Sequence, residues 1–213
     1  MTDAHREPTP ITWQGIPVPW VSRWTGETAD AQLRRGWPDG RLTYRDERPG
    51  DRRFGVLWYR NGTGRKGEPE FAEVHTARQL ACMTRNLCNV CGTPLSDPDS
   101  RIPWLFPGDE WELLTGPANP KIVTTPPTCR ACWPIARRFC PYLRSTGAVT
   151  ATVGTRRPVA AYGDLYDLSG SATPRELNVT LPLTSPARYR LLGKQLVVEL
   201  SDIRAEPGTA NEP

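Results

Sequence analysis

Cys88-Asn89-Val90-Cys91-Gly92 and, with 37 residues between Cys91 and Cys129, Cys129-Arg130-Ala131-Cys132 are the segments on which the reading of this chain turns. Two residues between two cysteines let both sulfurs face one side of a tight turn. The separation is then the roughly 3.8 Å that a tetrahedral ion with bonds of about 2.3 Å imposes. Gly92 follows the first pair, where a backbone folding back on an ion needs a positive φ. Pro126-Pro127-Thr128 precedes the second pair and Trp133-Pro134-Ile135-Ala136-Arg137-Arg138-Phe139 follows it. Cys129 and Cys132 are therefore expected to open a helix, whose N-terminal dipole favours thiolate. The chain has only two histidines, so Cys88, Cys91, Cys129 and Cys132 are the predicted ligands of one ion. Four thiolates point to structural zinc, with no position open for water. The alternatives are unrelated thiol pairs, disulfides, or redox chemistry at a C-x2-C pair.

Two cysteines are left over. Cys140 lies eight residues past Cys132, about 12 Å along a continuing helix, too far to share the ion. It and Cys82 are expected to be small buried apolar residues, with ligation by Cys82 the lesser option. Between the pairs, 102–106, 110–114 and 121–124 read as strands. Asp97, Asp99, Asp109, Glu110 and Glu112 read as solvated acids in the absence of a companion nucleophile.

Outside this centre, residues 1–10 are expected to be mobile. Residues 11–24 are aromatic and proline-studded, which excludes an interior strand and suggests a segment wrapped over a domain face. Residues 41–45 alternate and 54–59 are rich in strand formers. Asn61-Gly62 predicts a tight turn, with the glycine-basic loop 63–67 as a hairpin tip. That loop lacks the spacing of a phosphate-binding P-loop. Residues 68–87 read as a helix that carries His75 and delivers the chain to Cys88. Residues 148–154 and 158–168 suggest a β pair turning at 154–157, and 177–183 a further strand. Ser185-Pro186 is expected to start a helix with Tyr189, Leu192, Leu196 and Leu200 as its apolar stripe. The fold class is then α+β, with β-hairpins and a few helices around a central metal site. A single domain over 11–204 contains a metal-binding centre at 86–143, and 205–213 forms a tail.

A hydrophobic content of 38%, with eight tryptophans, is enough to build a core. No apolar run approaches the ~18–20 residues of a membrane span, and the N-terminus lacks the apolar stretch of a signal peptide. The expected compartment is the cytoplasm, where C-x2-C pairs favour metal over disulfide. The net charge of +4 is spread thinly, and 24 of the 27 basic residues are arginine. Arginine abundance of this kind follows GC-rich coding, so by itself it does not indicate nucleic-acid binding.

A cysteine knuckle, a hairpin and a helix bearing the last two ligands resembles the treble-clef class of zinc fingers, over roughly a quarter of the chain (86–143). The unit is similar to the metal-bearing frame of four-cysteine HNH endonucleases. That resemblance implies a catalytic histidine on the hairpin between the pairs and another after the second pair. Here no histidine follows His75, and Trp133 stands directly after Cys132, so the carried-over activity lacks its general base and catalytic-metal ligand. The segment from Pro126-Pro127-Thr128-Cys129 to Cys140-Pro141 also resembles four-cysteine proteins of Streptomyces-type actinobacteria, a likeness that names a lineage and no activity. The expected function is that of a non-catalytic, zinc-stabilised protein acting through contact with a protein partner, with no membrane role. The alternative partner is nucleic acid, through Arg130, Arg137, Arg138 and Arg144, since no acidic residue lies between 129 and 144. Those arginines either touch phosphates or complement a helix C-terminus.

Overall fold

The computed structural model describes residues 10–29, 31–35, 40–95, 101–117, 121–167 and 173–206. Residues 1–9 and 207–213, Asp97, Asp99 and residue 168, for which the sequence raised expectations, lie outside them. Strands β1 (Thr12–Trp13) and β2 (Ile16–Pro17) form a hairpin about Gln14 and Gly15, both at positive φ as a two-residue primed turn requires. Then come β3 (Ser22–Trp24), β4 (Leu33–Arg35), β5 (Leu42–Tyr44), β6 (Arg52–Arg53) and β7 (Val56–Trp58). Strand β8 (Pro69–Val74) leads into α1 (Thr76–Arg85) and the first cysteine pair. Between the pairs lie β9 (Ile102–Pro107), α2 (Gly108–Thr115) and β10 (Ile122–Val123). The second pair opens onto α3 (Trp133–Phe139) and α4 (Pro141–Thr146), followed by β11 (Ala148–Leu165), β12 (Glu176–Pro182) and β13 (Leu191–Ala205). The mixture of helix and strand agrees with the α+β class. No helix among the described residues is long and apolar enough to cross a membrane.

The chain divides into two compact units: Met1–Val21, Ala81–Arg156 and Leu200–Pro213 in the first, Ser22–Leu80 and Arg157–Glu199 in the second. In the first, β9 is buried along its whole length and pairs antiparallel with β11 from Ala148↔Pro107 to Val153↔Ile102. Trp104 and Phe106 stack on one of its faces with ring centroids 5.8 Å apart. The Leu200 amide donates to the Lys121 carbonyl (2.8 Å) and the Glu206 amide to Thr150 (2.9 Å), so the chain is held as far as residue 206. In the second unit, Leu42, Tyr44, Leu57, Tyr166 and Leu192 form a core against which Leu33 packs. There β7 runs parallel to β13 at Leu192↔Leu57, β12 pairs antiparallel with β11, and β3 with β8.

Several local expectations are corrected by the structure. Residues 69–74 are a strand, and the helix starts only at Thr76. The Thr76 amide donates to Asn61 Oδ1 (2.9 Å), and the His75 carbonyl accepts from the Arg78 and Gln79 amides, both at 3.0 Å. Asn61 is therefore the cap of α1 and Asn61-Gly62 forms no tight turn, since the Gly62 amide donates to the Glu27 carbonyl (2.8 Å). The loop 63–67 is no hairpin tip either, because β8 beyond it pairs with β3. Residues 110–114 belong to helix α2, where Asp109 in the first turn complements the helix dipole. Glu110, expected to be a solvated acid, is half-buried, and its carboxyl is pushed up to about 7 by that burial. Residues 148–165 run as one strand without a turn at 154–157, because different partners cover the two halves. Residues 191–205 are a strand and no helix. An interval of four, as in Leu192, Leu196 and Leu200, places residues on one face of a strand as well as on one face of a helix.

Candidate metal centre

The first cysteine pair is built on a reversal of the chain just after α1. The Cys88 amide donates to the Thr93 carbonyl (2.9 Å) and the Gly92 amide to the Cys88 carbonyl (2.8 Å), with Gly92 at φ +76°. The second pair sits on a short 3-10 turn, Arg130–Cys132, that runs directly into α3. The Cys132 amide donates to the Cys129 carbonyl (2.9 Å), so Cys129 and Cys132 share one side of that turn. The two segments are joined away from the sulfurs as well. The Asn89 amide donates to Pro127 (2.9 Å), Thr128 Oγ1 donates to Asn89 Oδ1 (3.0 Å), and Trp133 Nε1 donates to the Thr128 carbonyl (2.9 Å).

The four sulfurs of Cys88, Cys91, Cys129 and Cys132 all lie within 4.8 Å of one another. Cys91 and Cys129 are 3.8 Å apart, the edge length of a tetrahedron with metal–sulfur bonds of about 2.3 Å. Cys88 and Cys132 are fully buried, with Val90, Leu95 and Ala136 packed around the group. Cys88 Sγ accepts from the Val90 amide (3.4 Å) and the Cys129 amide (3.3 Å), and Cys91 Sγ meets Thr93 Oγ1 at 3.0 Å. Donors aimed at sulfur favour thiolate. Hydrogen bonds from Cys129 and then Cys132 hold the Cys91 thiol below its usual range, while Cys132 is driven up by its bonds to Cys129, Cys88 and Cys91. Four thiols crowded into one shell cannot all ionise side by side, and a divalent cation at their centre removes that conflict. The donor set can hold one metal ion, and it is the one group of three or more metal-type ligands among the described residues. All six cysteines are free, so no disulfide competes for these sulfurs.

The other sequence candidates are more dispersed. Cys82 is fully buried but outside the four-sulfur group, its thiol pushed up first by burial and then by the nearby cysteines. Cys140 is half-buried between α3 and α4, also outside the group. Arg130 pairs with Glu206 (2.6 Å), and Arg137 Nη2 donates to the Ala148 carbonyl (3.0 Å). Arg138 lies over the Phe139 ring at 5.2 Å and is exposed, as is Arg144 in the last turn of α4. His75 is in the second unit, buried, with Nε2 3.1 Å from the Gly62 carbonyl oxygen.

Sequence reasoning missed Trp20. Its amide donates to the Val90 carbonyl (2.9 Å), the Val21 amide donates to Asn89 (3.1 Å), and its ring covers Gly92. A Cβ on Gly92 would stand 2.6 Å from Trp20 Cδ1. The tryptophan-rich segment was visible in the sequence, but nothing local tied it to the cysteine reversal. Gly92→Ala is expected to lower stability by about 1–3 kcal/mol, because it combines a positive φ with a close contact. A thermal melt that matches the parent would refute the placement of Trp20. Comparison with known proteins finds no matching family model, curated protein or solved structure.

Proposed function

We propose that this is a non-catalytic, zinc-stabilised protein of the reducing cytoplasm, whose treble-clef-like metal centre is structural and which acts by contact with another macromolecule. The observation that carries this reading is the closed shell of four sulfurs, contributed by two segments 37 residues apart in sequence. Zinc bound there supplies no catalysis, since four thiolates leave no position for water; it fixes the cysteine reversal against the entrance to α3. The HNH-type activity finds no support in the side chains. The last histidine in the chain, His75, is buried and hydrogen-bonded at the start of α1. Nucleic-acid contact through Arg130, Arg137, Arg138 and Arg144 is supported by fewer groups than the sequence suggested, because the first two are engaged within the protein.

Elemental analysis of the purified protein is expected to return one zinc per chain, and plasmid DNA is expected to stay intact with added Mg2+ or Mn2+. A metal-free protein with an unchanged melting curve would overturn the structural role. Metal-dependent cleavage that disappears in a Cys132→Ser variant would overturn the non-catalytic reading.

A further inference from the structure

The second unit carries a basic recess, distant in sequence from the four cysteines. Strands β4 and β5 form an antiparallel ribbon with the register Leu33↔Tyr44, Arg34↔Thr43. Its inner face, Leu33, Leu42 and Tyr44, packs into the core of that unit. The register then puts Arg34 opposite Thr43 on the other face, where Thr43 is buried and its hydroxyl donates to Glu47. The exposed Arg41 and Arg45 flank β5 at its two ends. The turn after β5 forms the opposite wall of a wide-open recess of about 620 Å³.

The charge of this recess is lopsided. Five guanidinium groups line it, those of Arg34, Arg41, Arg45, Arg48 and Arg52, against two carboxylates, Asp46 and Glu47. Both carboxylates are already matched. Glu47 accepts from Arg52 Nε and Nη2, each at 3.0 Å. Asp46 accepts from Arg60 Nη1 (3.0 and 3.1 Å), a residue outside the lining, and from Arg48 Nη2 (3.0 Å). Arg52 is further fixed by its bond to the Leu42 carbonyl (2.6 Å), so the ribbon and the turn are braced against each other. Five of the chain's 24 arginines fall among the 11 lining residues, a local concentration that coding bias over the whole sequence does not produce.

The placement of these groups favours a polymeric anion. Arg41 and Arg45 lie just beyond the two ends of β5, and Arg34 stands across from its middle residue. A duplex, which presents a charge every ~1.7 Å along its axis, can meet several of these guanidiniums at once. A two-stranded ribbon is also narrow enough to approach a nucleic-acid groove. We propose that the outer face of the β4–β5 ribbon, with the recess beside it, is a binding surface for the phosphate backbone of nucleic acid. This rests on the reading that the protein acts by macromolecular contact, and it names the partner's class.

The test is fluorescence anisotropy with short labelled duplexes of DNA and of RNA, titrated over a range of salt, with zinc content measured on the same samples. Binding to at least one duplex is expected, with log K falling as log salt rises by about 0.9 for each phosphate neutralised. The variant Arg34→Gln/Arg41→Gln/Arg45→Gln should weaken binding about tenfold or more and flatten that slope by about 0.9 per guanidinium removed. The corresponding lysine variant should keep the slope. Arg34→Gln alone, an exposed change on the ribbon, gives the same readout if the triple variant melts early. Arg138→Gln/Arg144→Gln should bind as the parent does. Zinc-loaded protein that binds neither duplex, or binds inorganic tripolyphosphate alone, overturns this inference and leaves the structural-zinc reading standing. Binding lost only in the Arg138/Arg144 variant overturns it as well. Missing zinc tells against the structural-zinc reading alone.

Discussion

Cys91→Ser is expected to abolish stoichiometric zinc binding and to melt the residues around the metal centre well below the parent. Serine keeps the size of the side chain but replaces a thiolate by a hydroxyl that stays protonated and binds zinc poorly. In zinc-finger peptides the apparent binding energy of structural zinc is about 10–16 kcal/mol, as large as the whole stability of a typical domain at about 5–15 kcal/mol. Losing one of four ligands therefore removes several kcal/mol. The centre also closes the 37-residue stretch between Cys91 and Cys129, and a crosslink over that length restrains the unfolded chain by about 4 kcal/mol. The apolar residues packed on the sulfurs are few, Val90, Leu95 and Ala136, and the hydrogen bonds of Asn89 to Pro127 and Thr128 are left to hold the two segments together. Cys140→Ser is the matched control, the same chemical change outside the four-sulfur group, and should retain zinc and melt close to the parent. If the two variants behaved alike, the assignment of the ligands would be wrong.

The second large effect lies in the other unit. Glu27 has a side chain with no solvent exposure, and it holds three segments together. Its carboxylate accepts from the Trp24 amide (3.0 Å), the Arg65 amide (3.1 Å) and Arg78 Nη2, while Arg78 Nη1 donates to the Ser22 carbonyl (2.7 Å). Glu27→Ala leaves a guanidinium with little exposure lacking its counter-charge and two amides lacking their acceptor. Breaking a buried pair from one side costs about 3–5 kcal/mol. For a chain of this length that is a fall in Tm of roughly 6–20 °C. The double variant Glu27→Ala/Arg78→Met should lose less than the two single variants summed, since the stranded charge is gone. A Glu27→Ala protein that melts within about 1 kcal/mol of the parent would show that the pair contributes nothing.

The same cluster contributes to the response to acid. Burial alone would raise the Glu27 carboxyl, but the hydrogen bond and charge of Arg78 outweigh it and hold the group below the usual carboxylate range. Its contribution is complete above the ordinary carboxylate pKa and is lost as pH falls through the lower folded value. His75 is also lowered, by burial first and then by the charge of Arg78. Below about pH 6.5 the unfolded chain therefore takes up a proton that the folded chain resists, so stability falls in the same direction. Tm should decline from about pH 6.5 downward, and Glu27→Gln should flatten the more acidic part of that decline.

Legibility from sequence followed the range of the interactions. The cap at Ser185 was readable because it is local: the Ala187 amide donates to Ser185 Oγ at 3.2 Å, as Ser-Pro at a helix start suggests. The segment beyond this cap was not readable. Leu192, Leu196 and Leu200 satisfy helix and strand alike, and the strands that flank β13, β11 and β7, make the choice. The start of α1 was hidden for a related reason, since its cap is Asn61, 15 residues upstream. Alternation at 41–45 was visible in the sequence, yet the basic face appears only when the β4–β5 register sets Arg34 opposite Thr43.

By itself, the sequence determined the four-sulfur centre and the mixed α and β character. Ligand spacing and local propensity are properties of a few adjacent residues, and they survive any arrangement of the rest. Only the tertiary structure decided which ambiguous segments became strands, that Trp20 covers Gly92, and that a buried Glu27 meets Arg78. Those outcomes depend on pairings across tens of residues, where the free energy of burial and hydrogen bonding outweighs intrinsic preference.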